Sequence, residues 1–377
     1  MNKNLTILIT FLYLLIGCKK EKSDSTAKQD AAALIDNAVN SFTSKYSIPG
    51  VAVAITKQGK LVYANSYGTA DVQANTPVTN NSLFRIAGLS QPLTSVAIMK
   101  LVEEGKLSLE AKVFGVGAIL GTQYGTQPYS NGITAITVRH LLQHTAGGWP
   151  LNSDPLYTNP SMTATQLLSW TLDNRPLTYA PGTTYLHSSF GYFILGRVIE
   201  KVSGTTYQDY VKTAVLQPCG ITGMQIGGNT EAECRPNEVK YYGQEGENPY
   251  SFNLARMDAA DGWIATATDL ARFSVHVDGF ATKPDILSAA SITTMTTPSA
   301  VYPNYAMGWN VNAQNTWWHS GSVPGTAARM GRTASGYTWV ILCNSRRANN
   351  QFYDDLNNTM GTIINNNAAQ WPDVDLF

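Results

Sequence analysis

Strand-type sequence stands at the two ends of this chain and is nearly absent from its middle, and that distribution constrains the fold more than any other feature. Near the N-terminus, Val51 to Ile55 and Leu61 to Tyr67 are β-rich runs joined by a hairpin turn at Lys57-Gln58-Gly59, and a helix from about Ala31 to Lys45 precedes them. Strand patterns return only after Tyr305, in Met307 to Val311, Thr316 to His319, Thr326 to Arg332 and Tyr337 to Cys343, before a last helix over about Phe352 to Ile364. Between them, Val138 to Gln143, Thr163 to Leu172, Phe190 to Val202, Tyr207 to Leu216 and Thr268 to His276 predict helices. Strands from opposite ends form one layer when the segment between them is carried as an insertion. The predicted class is α/β: a terminal antiparallel sheet flanked by helices, with an inserted all-helical lobe.

Composition narrows the function classes. With 26 basic and 26 acidic residues the formal net charge is zero, which excludes an electrostatic nucleic-acid binder. Only 14% of residues are charged and 44% are hydrophobic, enough for one large core. At the start, Lys3 precedes the apolar run Leu5 to Gly17, too short to span a bilayer. Leu15-Ile16-Gly17-Cys18 resembles a bacterial lipobox. Residues 1–17 then read as a lipoprotein signal peptide, with Cys18 the lipidated residue, and 18–30 as a polar tether. The expected location is the cell envelope, periplasmic side or cell surface, with lipid as the sole membrane contact. In such an oxidising compartment Cys219 and Cys234 allow a disulfide. Cys343, inside an apolar run, reads as a buried thiol. No cysteine and histidine spacing suggests a metal, and no cofactor is implied.

From Leu93 onward, Leu93, Val96, Ala97 and Leu101 recur at helical spacing while Ile98 and Val102 fill the other side, so this helix is expected to be surrounded by protein. Gly105 closes it. The lead-in, Ser82-Leu83-Phe84-Arg85-Ile86-Ala87-Gly88-Leu89-Ser90-Gln91, and the continuation to Leu107 resemble the active-site helix of the β-lactamase-related serine hydrolases. That family includes class C β-lactamases, D-Ala-D-Ala carboxypeptidases and esterases. Further phrases match in the same order: Ile136 to Gly147, Pro181-Gly182 through Gly196, Met307-Gly308-Trp309, and His319-Ser320-Gly321-Ser322-Val323-Pro324-Gly325. The resemblance implies a β-lactamase/transpeptidase-like fold over residues 31–377, with an α/β lobe from about 31–90 and 300–377 and a helical lobe over about 91–299.

Members of that family carry S-x-x-K at the start of the central helix, where the lysine helps take the proton of the attacking serine. The resemblance places Gly88 at the serine position and Gln91 at the lysine position. A hydrogen atom cannot attack a carbonyl and an amide is no general base, so by analogy with serine proteases the loss of rate is on the order of 10⁶-fold. Ser90 is no substitute: two residues along a helix is a rotation of roughly 200°, and its expected role is capping or packing. In the second motif, usually Y-x-N, His187 and Ser189 take the tyrosine and asparagine places. The third, His319-Ser320-Gly321, is kept, and the resemblance assigns an oxyanion hole to the backbone N–H groups of Gly88 and Ser322.

The expected function is therefore non-catalytic: a ligand-binding cleft of Gly88, His187, Ser189, His319, Ser320, Gly321 and Ser322 that takes a peptidoglycan-derived peptide, D-amino acid or acyl ligand, or a surface that binds a protein partner. The alternative is an active esterase, β-lactamase or D-aminopeptidase using Ser189 with His187 or His319. A purely structural role is the third. If only the reactive groups decayed, Gly88→Ser with Gln91→Lys, His187→Tyr and Ser189→Asn should restore acylation. His140 and His144 read as packing or loop anchors, Trp149, Trp263, Trp309, Trp317 and Trp318 as core, and Asp269 with Arg272 as a solvated face behind a Thr268 cap.

Overall fold

The structure is a computed structural model describing residues 29–366 and 368–377. The signal segment, Cys18 and most of the tether lie outside the described residues. Its frame is a seven-stranded antiparallel sheet of β1 (Gly50–Lys57), β2 (Lys60–Asp71), β3 (Thr76–Pro77), β4 (Asn310–Val311), β5 (Trp317–Val323), β6 (Thr326–Arg332) and β7 (Tyr337–Cys343), in spatial order β3-β2-β1-β7-β6-β5-β4. The first and last strands of this sheet in chain order meet at its centre, where Val340 pairs with Ala54 and Leu342 with Ala52.

Alternation along β1 decides what covers each face. Val51, Val53 and Ile55 pack with Ile341 and Cys343 against α1 (Ala31–Tyr46) and the last helix (Asn350–Ile364), through Ile35, Val39, Phe42, Phe352, Leu356 and Met360. The intervening Ala52 and Ala54 are small; in the core on that side α2 (Ser90–Glu103) and α3 (Ser189–Ser203) pack on each other, and α4 (Ala267–Val275) packs on the sheet. As expected, α2 is enclosed: every residue from Ser90 to Met99 is buried. Each large aliphatic side chain so removed from water contributes about 1.5–3 kcal/mol, which outweighs the weak amphipathicity of this segment.

Several expectations need correction. Gln29 and Asp30 are not tether: they pair in parallel with Ala369–Gln370, and Asp30 caps α1 through the Ala32 N–H group at 3.0 Å. Cys219 and Cys234 are free thiols; the first is buried in the main core while the second, half-buried, faces Glu238 and Tyr250, so the fold holds them in separate surroundings. Strands occur before Tyr305 as well, because Phe84–Arg85, Gln225–Ile226 and Trp263–Ala265 form a small sheet. The inserted lobe thus carries two short strands besides its helices, and α4 leaves it to pack on β1 and β7. The α4 cap is Thr266, not Thr268, since the Asp269 N–H group donates to Thr266 Oγ1 at 2.9 Å. Asp269 itself is half-buried, and the loss of water around it raises its pKa. Among the described residues, no helix is long and apolar enough to cross a membrane.

Candidate functional site

A turn at Ala87–Leu89 leads into α2, and β5 crosses directly over it. A Cβ on Gly321 would lie 2.1 Å from the Ile86 carbonyl oxygen, so only glycine lets the strand approach so closely. Ala87 has φ of 45°, a left-handed conformation that costs a non-glycine residue about 1–2 kcal/mol. Strand and turn together place Gly88 against β5: a Cβ there would meet the Ser320 carbonyl oxygen at 2.7 Å and His319 Cε1 at 3.3 Å. The space in which a side chain at position 88 would begin is occupied by backbone.

Beyond this contact a cavity of about 320 Å³ opens, lined by Gly88, Gln91, His187, Ser189, Ser320 and Ser322 among the residues singled out in the sequence. His319 and Gly321 do not line it. Side chains alternate along β5, so Ser320 and Ser322 face the cavity while His319 and Gly321 turn toward α2. Ser90 turns away too, its Oγ accepting the Trp263 N–H group at 3.3 Å, in keeping with packing. A larger hollow, of about 610 Å³, lies elsewhere beside Asn80, Asn237 and Asp269, and contains none of these groups.

Behind the cavity runs a chain of hydrogen bonds whose direction follows from its ends. The Ser188 N–H group donates to His144 Nδ1 at 3.2 Å, so His144 carries its proton on Nε2, 3.0 Å from Tyr305 Oη. At the other end His319 Nδ1 lies 2.9 Å from the Ser320 carbonyl oxygen and must donate to it. Its Nε2, 3.3 Å from Tyr305 Oη, then accepts the tyrosine proton. The neutral imidazoles agree with their surroundings: burial pushes His144 well below the usual histidine range, His187 down to about 4 and His319 to about 3. Gln91 Oε1 stands 3.4 Å from the same Tyr305 Oη, and its buried Nε2 has no partner. A half-turn of that amide would aim its N–H group at the second lone pair of Tyr305.

The opposite wall was not legible in the sequence. Tyr157, on the short helix Pro155–Thr158, donates to Asp261 Oδ2 at 2.9 Å, and its hydroxyl is 3.4 Å from Ser189 Oγ. Burial raises the Asp261 carboxyl to about 6, with the hydroxyls of Tyr157 and Ser189 only partly opposing it. Ser189 thus has Tyr157 and Asp261 as its neighbours, and no hydrogen bond joins it to His187 or His319. At the rim, Ser320 Oγ accepts from Arg329 Nη1 at 2.8 Å and Ser322 Oγ from Arg346 Nη1 at 2.6 Å. The Asp154-Pro155 pair is a readable helix start, but nothing local says that this helix aims a tyrosine at the cavity.

The expected scaffold roles of the other residues hold, except that of Trp318 as a core residue. His140 closes the capping box of the helix Val138–Leu142 with Thr137, and Trp149, Trp263, Trp309 and Trp317 are buried; Trp318 is half-buried. Among the described residues no group of three or more His, Cys, Asp or Glu side chains is arranged to hold a metal ion.

Residues 32–358 match the family model described as Beta-lactamase. The chain belongs to the β-lactamase family. A penicillin-binding protein of Bacillus subtilis is 26% identical over 353 residues, covering 86% of this chain and 74% of that protein. A β-lactamase of Yersinia enterocolitica is 28% identical over 64% of this chain and 58% of its own length. Among solved structures, D-amino acid amidase from Ochrobactrum anthropi superposes with a TM-score of 0.73 at 21% identity, covering 89% of this chain and 99% of that one. A class C β-lactamase gives 0.72 at 21% identity, covering 89% and 95%. The fold is that of the β-lactamase-related serine hydrolases.

Proposed function

We propose that this β-lactamase-family protein has lost covalent catalysis and holds a small peptide-like, amino-acid or acyl ligand in its cleft without cleaving it. The observation that carries this reading is position 88, where no hydroxyl exists and a β-carbon would collide with the Ser320 carbonyl. Position 91 supplies a buried amide in place of an amine. The cavity beside them persists and keeps polar groups on both walls, which supports retained binding.

Purified protein is expected to leave a chromogenic cephalosporin and a short-chain nitrophenyl ester unhydrolysed above background, and to remain unlabelled by fluorescent penicillin and by a fluorophosphonate. Turnover abolished by Ser189→Ala or His187→Ala would establish instead a hydrolase built on the second motif. We place the protein in the cell envelope as a lipoprotein anchored at Cys18, on the support of the lipobox and the polar residues that follow it. In detergent phase separation the full chain should enter the detergent phase and Cys18→Ala the aqueous one; wild-type protein in the aqueous phase overturns the anchor.

A further inference from the structure

Asp261 is a buried carboxylate on the wall of the cavity with hydroxyl donors but no cation. It is 3% exposed, receives the Tyr157 hydroxyl at 2.9 Å, and forms no ion pair among the described residues. Its neighbour on the same short helix, Asp258, shows the usual solution, with Arg197 Nη2 at 2.6 Å. A carboxylate removed from water is strongly destabilised unless charge or several hydrogen bonds compensate it. Here the uncompensated side is the cavity itself, which Asp261, Tyr157 and Ser189 line together. On the opposite rim the Ser320 hydroxyl accepts from Arg329, which leaves its own proton for a carbonyl or carboxylate oxygen. With about 320 Å³ the cavity is at the small end of ligand pockets, roughly 300–1,000 Å³.

We propose that Asp261, Tyr157 and Ser189 form an ammonium subsite, so that the cleft selects ligands with a free primary amine next to a carbonyl group, that is, amino acids, their amides or the N-terminal residue of a short peptide. The Asp261 carboxylate accepts two charge-assisted hydrogen bonds at most from such an amine, and the Tyr157 and Ser189 oxygens offer lone pairs for the remaining proton. This inference rests on the non-covalent cleft reading above and adds to it the chemical class of the ligand. Near neutral pH the carboxyl is mostly ionised, since burial lifts it only to about 6.

The test compares phenylalaninamide, as both enantiomers, with 3-phenylpropanamide, which carries hydrogen in place of the ammonium group and therefore cannot be excluded by size. Calorimetric titration of the wild-type protein should show at least one enantiomer binding about tenfold or more tightly than the deaminated amide, the range for hydrogen bonds to a charged group. Asp261→Asn should remove that preference while leaving 3-phenylpropanamide unaffected, and Tyr157→Phe should reduce it, which keeps the test available if Asp261→Asn fails to fold. Equal affinities for the two amides in wild-type protein overturn the subsite and leave the cleft reading standing. Absence of binding by either amide overturns both. Release of free phenylalanine, with the Asp261-dependent preference intact, overturns the non-catalytic reading and supports the subsite.

Discussion

At position 88 two residue-scale effects oppose each other, and their magnitudes decide which wins. Replacing a glycine at the start of a helical segment gains up to about 1 kcal/mol of backbone entropy. Against it stands a contact of 2.7 Å to the Ser320 carbonyl, which cannot rotate aside because Ser320 is paired with Arg329 in the sheet. Overpacking of this kind costs about 1–3 kcal/mol. Gly88→Ala and Gly88→Ser are therefore expected to lower the urea unfolding free energy by about 1–2 kcal/mol net. The consequence reaches the chemistry: the variant carrying Gly88→Ser, Gln91→Lys, His187→Tyr and Ser189→Asn has its motifs restored but no room for the serine. It should show no mass increase after exposure to penicillin, contrary to what the sequence alone implies. Acylation of that variant at wild-type stability would show that β5 yields.

At the scale of elements, one buried side chain starts two helices. Asp154 accepts the Leu156 N–H group at 3.0 Å, the Phe190 N–H group at 3.0 Å and the Ser188 hydroxyl at 3.2 Å, so it caps both the helix that bears Tyr157 and the one that begins at Ser189. Each lost cap costs about 0.5–2 kcal/mol, and Asp154→Ala should lose about 2–4 kcal/mol in denaturant unfolding, with Asp154→Asn losing clearly less because an acceptor oxygen remains. What the sequence disclosed of the elements follows the same physics. Thr326–Arg332 and Tyr337–Cys343 were legible to the residue because alternating or apolar runs end at strong turns. Met307 to Val311 shrinks to Asn310–Val311, since Gly308 breaks the ladder with φ of 79°. The helix Ala289–Thr296 stayed invisible because its run of Ala, Ser and Thr shows no apolar stripe. In the cleft, ordered motifs located Gly88, Gln91, His187, Ser189, Ser320 and Ser322. Tyr157, Asp261, His144 and Tyr305 join them only through tertiary contacts between distant segments, and the space closed at position 88 has no signature in any local pattern.

For the whole molecule, buried titratable groups of opposite sign set the response to acid. His144, His187 and His319 are held neutral in the folded state, whereas in the unfolded chain they take up protons as pH falls through about 6.5. Their contribution is therefore present above pH 6.5 and is lost as pH falls toward the folded values, about 4 for His187 and about 3 for His319. Asp154 and Asp261 act in the other sense. Burial raises them to about 7 and about 6, so between the ordinary value of 3.8 and those values the folded state holds two protons that the unfolded state lacks, and stability rises as pH falls. Near pH 5 the unfolded chain has three extra histidine protons and the folded protein two extra carboxyl protons, a net of one. Each proton of difference is worth about 1.4 kcal/mol per pH unit, so the carboxyls offset about two thirds of the histidine effect. Below pH 4 the unfolded carboxyls protonate as well and their compensation stops growing, but His187 and then His319 protonate in the folded state, so the histidine effect shrinks alongside it. These five groups should therefore lower the melting temperature gently and at a nearly even rate as pH falls from 6 to 3. In Asp154→Asn/Asp261→Asn, which deletes the opposing pair, a fall up to about three times steeper should begin near pH 6. Groups outside this pair, the three histidines included, are common to both proteins, so the difference between the two melting curves isolates Asp154 and Asp261; parallel curves from pH 7 to pH 4 would mean that these carboxyls do not hold protons in the folded protein.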